Sequence, residues 1–149
     1  MAKLPKPGEG KRGEDGHPGY LLRQAAHVHR NRVEAALSDL DITMPQFVLM
    51  TMLEAYPGLY NADLARLALL TPQTVSVTIG NLEKAGAIEK RSHEAHGRIR
   101  VLELTAAGRK LLSEAKKRVY AVEADLLDGF DADEEAIIRR WLVKVAAQG

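Results

Sequence analysis

One stretch of this chain carries both its own start and its own stop signal. Thr71 offers a hydroxyl to the free amides of a first helical turn, and Pro72 follows at the position where proline's missing N–H costs nothing. Gly86 ends the segment as a residue able to adopt the left-handed conformation that closes helices. Local chemistry therefore predicts a helix from about Thr71 to Ala85. At about 100° per residue, Val75, Thr78, Ile79 and Leu82 fall on one side and pack inward. Gln73, Val77, Gly80 and Lys84 fall on the other, flanked by Thr74, Ser76 and Asn81. Solvated helix faces usually carry more Glu and Lys. This outward face offers amide, hydroxyl and methyl groups instead, the groups that meet base edges and thymine methyls in a major groove. Gly80 is out of place in a helix, where glycine costs roughly 1 kcal/mol against alanine. Two readings stand: it allows close approach to DNA, or it is a tolerated weak position.

The neighbouring segments supply the context. From Gly19 to about Leu40, Leu22, Ala26, His29, Val33, Ala36, Leu37 and Leu40 recur at helical spacing. Asp41 and Thr43 are helix-start residues, with Pro45 suited to a first turn, and the helix they open runs through Phe47, Met50, Met52 and Leu53 to Tyr56-Pro57-Gly58. Asn61 is placed to cap a short helix over Ala62–Leu69. After Gly86, Ile88–Arg91, Ser92–Gly97 and Arg98–Leu104 read as strand, tight loop and strand. Thr105 opens a long helix ending near Asp128-Gly129, and Asp131 with Glu134 makes a capping box for a last one. The expected fold is mainly α with a small β-hairpin wing: a winged helix-turn-helix lobe over 43–105, flanking helical segments over 18–42 and 106–149, and a flexible basic arm over 1–17.

Charge is distributed in keeping with that plan. The 149 residues are 46% hydrophobic and 28% charged, an ordinary balance for a folded soluble chain. Net charge is only +1, yet residues 84–118 carry 10 basic and 4 acidic groups while 119–149 carry 3 and 7. A compact basic stretch beside an acidic remainder suits a molecule that turns one face to phosphates. No apolar run approaches a membrane span, and the polar N-terminus has no apolar segment for a secretory signal, so the expected address is the cytoplasm without membrane contact. The absence of cysteine excludes disulfides and thiolate zinc sites.

Two short helices joined by a turn and followed by a basic hairpin read as a winged helix-turn-helix, whose second helix enters the major groove of double-stranded DNA. In the wing Arg91, Arg98 and Arg100 are the cations, with Arg98, directly after Gly97, placed for the minor groove. The stretch from Pro45 to Arg109 resembles the MarR family of transcriptional regulators. The resemblance is carried by ADLARLALLTPQTVSVTIGNLEKAGAIEKR and GRIRVLELTAAGR, and the flanking helices extend it over nearly all of 19–147. It implies a homodimer joined by its first and last helices, an imperfect palindromic operator, and repression relieved by a small molecule. DNA contacts are then expected from Thr71, Pro72, Gln73, Thr74, Ser76, Val77, Asn81, Lys84, Arg91, His96, Arg98 and Arg100. There are two departures. His96 stands where the family usually has an acid that orients the tip arginine, and Asn81 stands where many members carry a cation.

The resemblance also implies an effector pocket between the dimerisation helices and the DNA-binding lobe. Arg23, His27 and Arg30, at i, i+4 and i+7, form a stripe that can hold a carboxylate or phosphate. The alternative is a solvated or dimer-interface face, with Arg30 near Glu34. His29 lies on the apolar stripe itself, as a core or interface histidine or as a pocket contact. Phe47, Met50 and Met44 are either lining or core. The opening HPGYLLRQAAHVHR resembles members that govern aromatic-acid catabolism, so the expected effector is an anionic aromatic carboxylate or acyl-CoA thioester.

Rival functions have thinner support. A metal sensor would need ligands from His27 and His29, or from His93, Glu94 and His96. An enzyme would need a nucleophile with a base, a phosphate-cradling glycine loop or an acid–base pair. Ser76 and Ser92 have no evident partner, so neither catalysis nor a cofactor is expected. A constitutive DNA-binding protein without effector is the third alternative.

Overall fold

A computed structural model describes residues 2–93 and 95–149, with the side chains of residues 93 and 96–99 outside that description. Among the described residues six α-helices and one hairpin follow one another: α1 (Pro18–Leu37), α2 (Met44–Ala55), α3 (Asn61–Ala68), α4 (Pro72–Lys84), β1 (Ile88–His93), β2 (His96–Leu104), α5 (Ala106–Leu126) and α6 (Ala132–Ala146). The fold is the expected mainly α one with a two-stranded antiparallel wing. None of the helices is long and apolar enough to cross a membrane among the described residues. The N-terminal segment makes one 3-10 turn at Gly10–Arg12, and the Arg12 guanidinium donates to the Pro5 carbonyl at 2.8 Å.

Capping chemistry explains the boundaries. Thr43 and Gln46 form a reciprocal capping box at α2, and Asp131 with Glu134 does the same at α6. Two expected starts move. Asp41 opens no helix: it takes the left-handed conformation, φ 53°, after the 3-10 turn Ser38–Leu40 that ends α1. Short polar Asp tolerates that conformation better than most residues do. Asn61 is the first helical residue of α3, with Tyr60 at the cap position and no side-chain bond there. The turn into α4 also carries strain, because Leu69 sits at φ 55° without glycine's freedom.

The core gathers Val33 and Leu37 from α1, Leu49, Met50 and Leu53 from α2, Leu64 from α3, and Val75, Ile79 and Leu82 from α4. To these it adds Ile88, Leu102 and Leu104 of the wing strands and Leu112, Ala115 and Val119 of α5. At roughly 25 cal/mol per Å² of apolar surface buried, this shared cluster is what makes the helix-turn-helix, wing and α5 one body.

The LTAAGR run has a physical job here. Thr105 caps α5 through the Gly108 amide while its own hydroxyl donates to the Gly86 carbonyl and its amide to the Ala87 carbonyl. A Cβ on Gly108 would stand 1.9 Å from the Ala87 carbonyl oxygen, so only glycine lets α5 approach the end of α4 this closely. Farther along, α5 is tied by ion pairs to three elements. Lys116 meets Glu54 of α2, Arg118 meets Asp39 after α1, and Asp125 meets Arg32 of α1 at 2.6 Å. The hydrogen bond to Glu54 raises the Lys116 pKa above the ordinary lysine value against the opposing pull of desolvation.

Helix α6 is different. It buries no residue, and Ile137, Trp141, Leu142 and Val143 are all exposed. With Tyr120, Leu126 and Phe130 near the end of α5 it borders an open cleft of about 800 Å³.

Candidate nucleic-acid interface

Helix α4 is held as its punctuation predicts. The Thr71 hydroxyl accepts from the Thr74 amide at 3.1 Å and donates to the Thr74 hydroxyl at 2.9 Å. At the other end the Gly86 amide reaches the Glu83 carbonyl and the Ala87 amide reaches the Leu82 carbonyl, both bridging the left-handed Gly86 at φ 74°. This pair of bonds is the Schellman closure. Val75, Thr78, Ile79 and Leu82 are buried, and the Thr78 hydroxyl is satisfied by donating to the Thr74 carbonyl at 2.7 Å.

The opposite face of α4 is presented to solvent. Gln73, Ser76, Val77, Asn81 and Lys84 are exposed, as are Thr71 and Pro72, while Thr74 and Gly80 are half-buried. Val77 keeps 59% of its surface accessible, a large apolar exposure for a helix this well packed on its other side. That face projects one amide, one hydroxyl, one branched methyl pair and a second amide in succession along two turns. A Cβ on Gly80 would meet nothing within 4 Å, so the protein itself does not demand glycine there.

The wing strands pair with Ile88 opposite Leu104, Glu89 opposite Glu103, Arg91 opposite Val101 and Ser92 opposite Arg100. The strands run two residues farther toward the tip on each side than their sequence signals suggest, because pairing resumes at His93 opposite His96 after a register shift between Ser92 and His93. Arg91, one of the expected wing cations, is exposed and is engaged by two carboxylates of the wing itself. Its guanidinium lies 3.0 Å from Glu89 and 3.1 Å from Glu103. The hydrogen bond to Glu89, then the charge of Glu103, raise its pKa further above the ordinary arginine value. Lys90 lies 3.4 Å from Glu83 of α4, which links wing and recognition helix. Arg100 is exposed and makes no ion pair among the described residues. The side chains of His93, His96 and Arg98, and Glu94 altogether, lie outside the described residues.

Comparison with known proteins places this arrangement. The MarR family model matches residues 42–99, which is most of the helix-turn-helix and wing. The HTH-type transcriptional repressor Rv2887 of Mycobacterium tuberculosis is 39% identical over 134 residues, spanning 90% of this chain and 96% of that protein. The chain belongs to the MarR family. The crystal structure of Rv2887 in complex with salicylic acid superposes with a TM-score of 0.71 at 39% identity, covering 89% of this chain and 98% of that one. Its complex with DNA superposes with a TM-score of 0.69 at 38% identity, covering 87% and 97%.

Within this MarR fold the expected effector residues are dispersed. Arg23 is exposed, with its guanidinium 5.8 Å from the centre of the Tyr20 ring. His27 contacts Asn31 at 3.2 Å and borders a hollow of about 390 Å³ between α1 and the N-terminal segment. His29 turns toward α5, with Nε2 3.3 Å from Glu123 and a buried Nδ1 that has no hydrogen-bond partner among the described residues. Arg30 pairs with Glu34 at 3.2 Å and stands at the edge of a separate cavity of about 260 Å³. That cavity is otherwise lined by Met44, Pro45 and Val48 of α2 and by Ala68, Leu69 and Leu70 at the helix-turn-helix corner.

Phe47 and Met50 do not line it. They are 8% and 0% exposed and belong to the core, because α2 points the flank of Phe47, Met50 and Leu53 inward and turns Met44 and Val48 toward the cavity. The i, i+4 spacing of Met44 and Val48 is the signal that separates the two flanks. No three His, Asp or Glu side chains gather as a metal site among the described residues.

Proposed function

We propose that this chain is a ligand-responsive transcriptional repressor. It binds a palindromic operator as a homodimer through α4 and the wing, and a small aromatic carboxylate releases it. The DNA part rests on the two-sided α4 and on the Rv2887 relative, whose structure is known in complex with DNA. The residues assigned to DNA are Thr71, Pro72, Gln73, Thr74, Ser76, Val77, Asn81 and Lys84 of α4, with His96, Arg98 and Arg100 of the wing. A helix N-terminus adds its own attraction for phosphate.

The domain plan follows from the same pattern. Residues 43–105 form the reading lobe, residues 18–42 and 106–149 the dimerisation layer, and 1–17 a basic arm. The support for a second copy is the uncovered apolar surface of α6 together with Val28 of α1. A surface of this kind on a regulator of palindromic sites calls for an isologous partner.

One juxtaposition carries the effector assignment: Arg30, its Nε paired with Glu34, at the edge of a cavity walled by apolar Met44, Pro45 and Val48 and closed by the corner Ala68–Leu70. A guanidinium matches a carboxylate, and the apolar walls match a ring. About 260 Å³ accommodates a single-ring acid, whereas a coenzyme A thioester would leave most of itself outside. Rv2887 has been crystallised with salicylic acid, which has this chemistry. The corner belongs both to the cavity and to the turn that aims α4, so a ligand seated there acts on DNA reading directly. Titration calorimetry with salicylate is the test. The expected result is binding that weakens in Arg30→Ala, with operator release at matching concentrations. Salicylate and other single-ring aromatic acids all failing to bind would refute the effector assignment and leave the DNA assignment standing.

A further inference from the structure

The base of the wing holds an arrangement that DNA contact alone does not explain. Glu89 and Glu103 are direct cross-strand partners. Like charges facing each other across an antiparallel pair push the strands apart. Arg91, two residues on from Glu89, places Nε 3.0 Å from Glu89 Oε1 and 3.1 Å from Glu103 Oε2, with Nη2 also 3.0 Å from Glu89 Oε1. One guanidinium thus bridges the two facing carboxylates. The trio carries a net charge of −1, so a phosphate approaching Arg91 meets two carboxylates along with it.

We propose that Arg91 is a positioning residue for DNA recognition. It bridges Glu89 and Glu103, offsetting their mutual repulsion, and so keeps the two wing strands in register, and the phosphate contacts are left to other wing cations. This rests on the DNA-binding reading above. It also changes what loss of Arg91 does: two facing carboxylates are released on the side of the molecule that meets DNA. The neighbouring Lys90–Glu83 pair fastens the same part of the wing to α4, so a disturbed strand pair shifts the wing relative to the recognition helix.

The test uses the full-length protein and a labelled duplex that the wild type has selected from a random-sequence pool. Arg91→Gln should weaken binding on the order of tenfold. Arg91→Gln with Glu103→Gln restores the net charge of the trio and removes the face-off, and should return affinity to within about threefold of wild type. Arg91→Gln with Asp63→Asn has the same net charge without touching the pair, and should stay as weak as Arg91→Gln. The salt slope of the Glu103→Gln double variant should equal that of wild type.

A direct phosphate contact gives the opposite pattern. The Glu103→Gln double variant then stays weak, its salt slope falls by about 0.9, and the proposal is overturned. Unchanged binding by Arg91→Gln overturns it as well. Thermal melts of the free protein give a second readout. Arg91→Gln should lower the midpoint, and adding Glu103→Gln should raise it again. Simple addition of the two single shifts refutes the bridge whatever the DNA result. A wild type that enriches no duplex would refute the DNA reading, and the melts would still decide the bridge.

Discussion

Replacing Gly80 by alanine separates what the protein needs from what DNA needs. The residue lies in the middle of α4 on its outward face, in ordinary helical conformation, and a Cβ there meets no protein atom within 4 Å. Nothing in the fold therefore opposes the change. Relative helix propensities give a gain of about 0.8–1.0 kcal/mol, part of it from the reduced freedom of the unfolded chain. For a chain of this size that corresponds to a rise of about 2–4 °C in the melting midpoint. Oligomer linkage makes the midpoint concentration-dependent, so both proteins are melted at one protein concentration. If Gly80 is where the DNA backbone or a base edge comes closest, the added methyl must displace it. A displaced base contact costs about 1–3 kcal/mol, or roughly five- to 150-fold in affinity. Fluorescence anisotropy on the selected duplex reads this directly. The expected outcome is a protein that is more stable and binds DNA less well. Unchanged affinity would refute close approach and leave Gly80 as a tolerated weak position. A lowered midpoint would refute the account of open space around it.

Gly108→Ala is the contrasting case, because the new Cβ would lie 1.9 Å from the Ala87 carbonyl oxygen and α5 must move off the end of α4. A loss of roughly 1–3 kcal/mol or more is expected in chemical denaturation, and an unchanged midpoint would contradict the packing. Glu54→Gln removes the partner that raises the Lys116 pKa, an interaction present at neutral pH and lost only as pH rises through the raised lysine value. Both groups are partly exposed, so the stability difference should be within about 1 kcal/mol near neutrality and vanish in strong alkali; a difference that grows with pH would overturn it. Trp141→Glu places a charge on the uncovered face of α6, and light scattering should report a dimer for the wild type, as proposed, and a monomer for the variant. A dimeric variant would move the interface elsewhere.

Much of the fold was legible because its boundaries are written in local chemistry. Thr71 with Pro72, the Gly86 closure, Thr105, and the Asp131–Glu134 box each act through bonds spanning a few residues, and each element begins or ends where that chemistry requires. Asp41 and Asn61 show where the same logic is degenerate. Both residues can cap a helix, but Asp41 also tolerates the left-handed conformation, and Asn61 accepts the first helical position equally well. Choosing between these outcomes takes the packing of α1 against α2 and of α3 against α4. Local sequence does not contain it.

The site was legible on one helix and opaque between elements, for a physical reason. The outward face of α4 follows from its own period, so its buried and exposed residues could be assigned without a partner. Arg91 could not be assigned that way. Its role depends on Glu103 lying opposite Glu89, a relation fixed by the hairpin register twelve and more residues away along the chain. The effector stripe is opaque in the same way. Arg23, His27 and Arg30 share a helix flank, yet what each one meets is decided by Tyr20, by the N-terminal segment and by the cavity at the helix-turn-helix corner. A side chain whose task is to answer another element's charge or shape becomes readable only once that element is in place. In the proposed ligand-switched repressor, that is the part of the molecule that matters, because coupling between two sites has to run through contacts that neither segment specifies alone.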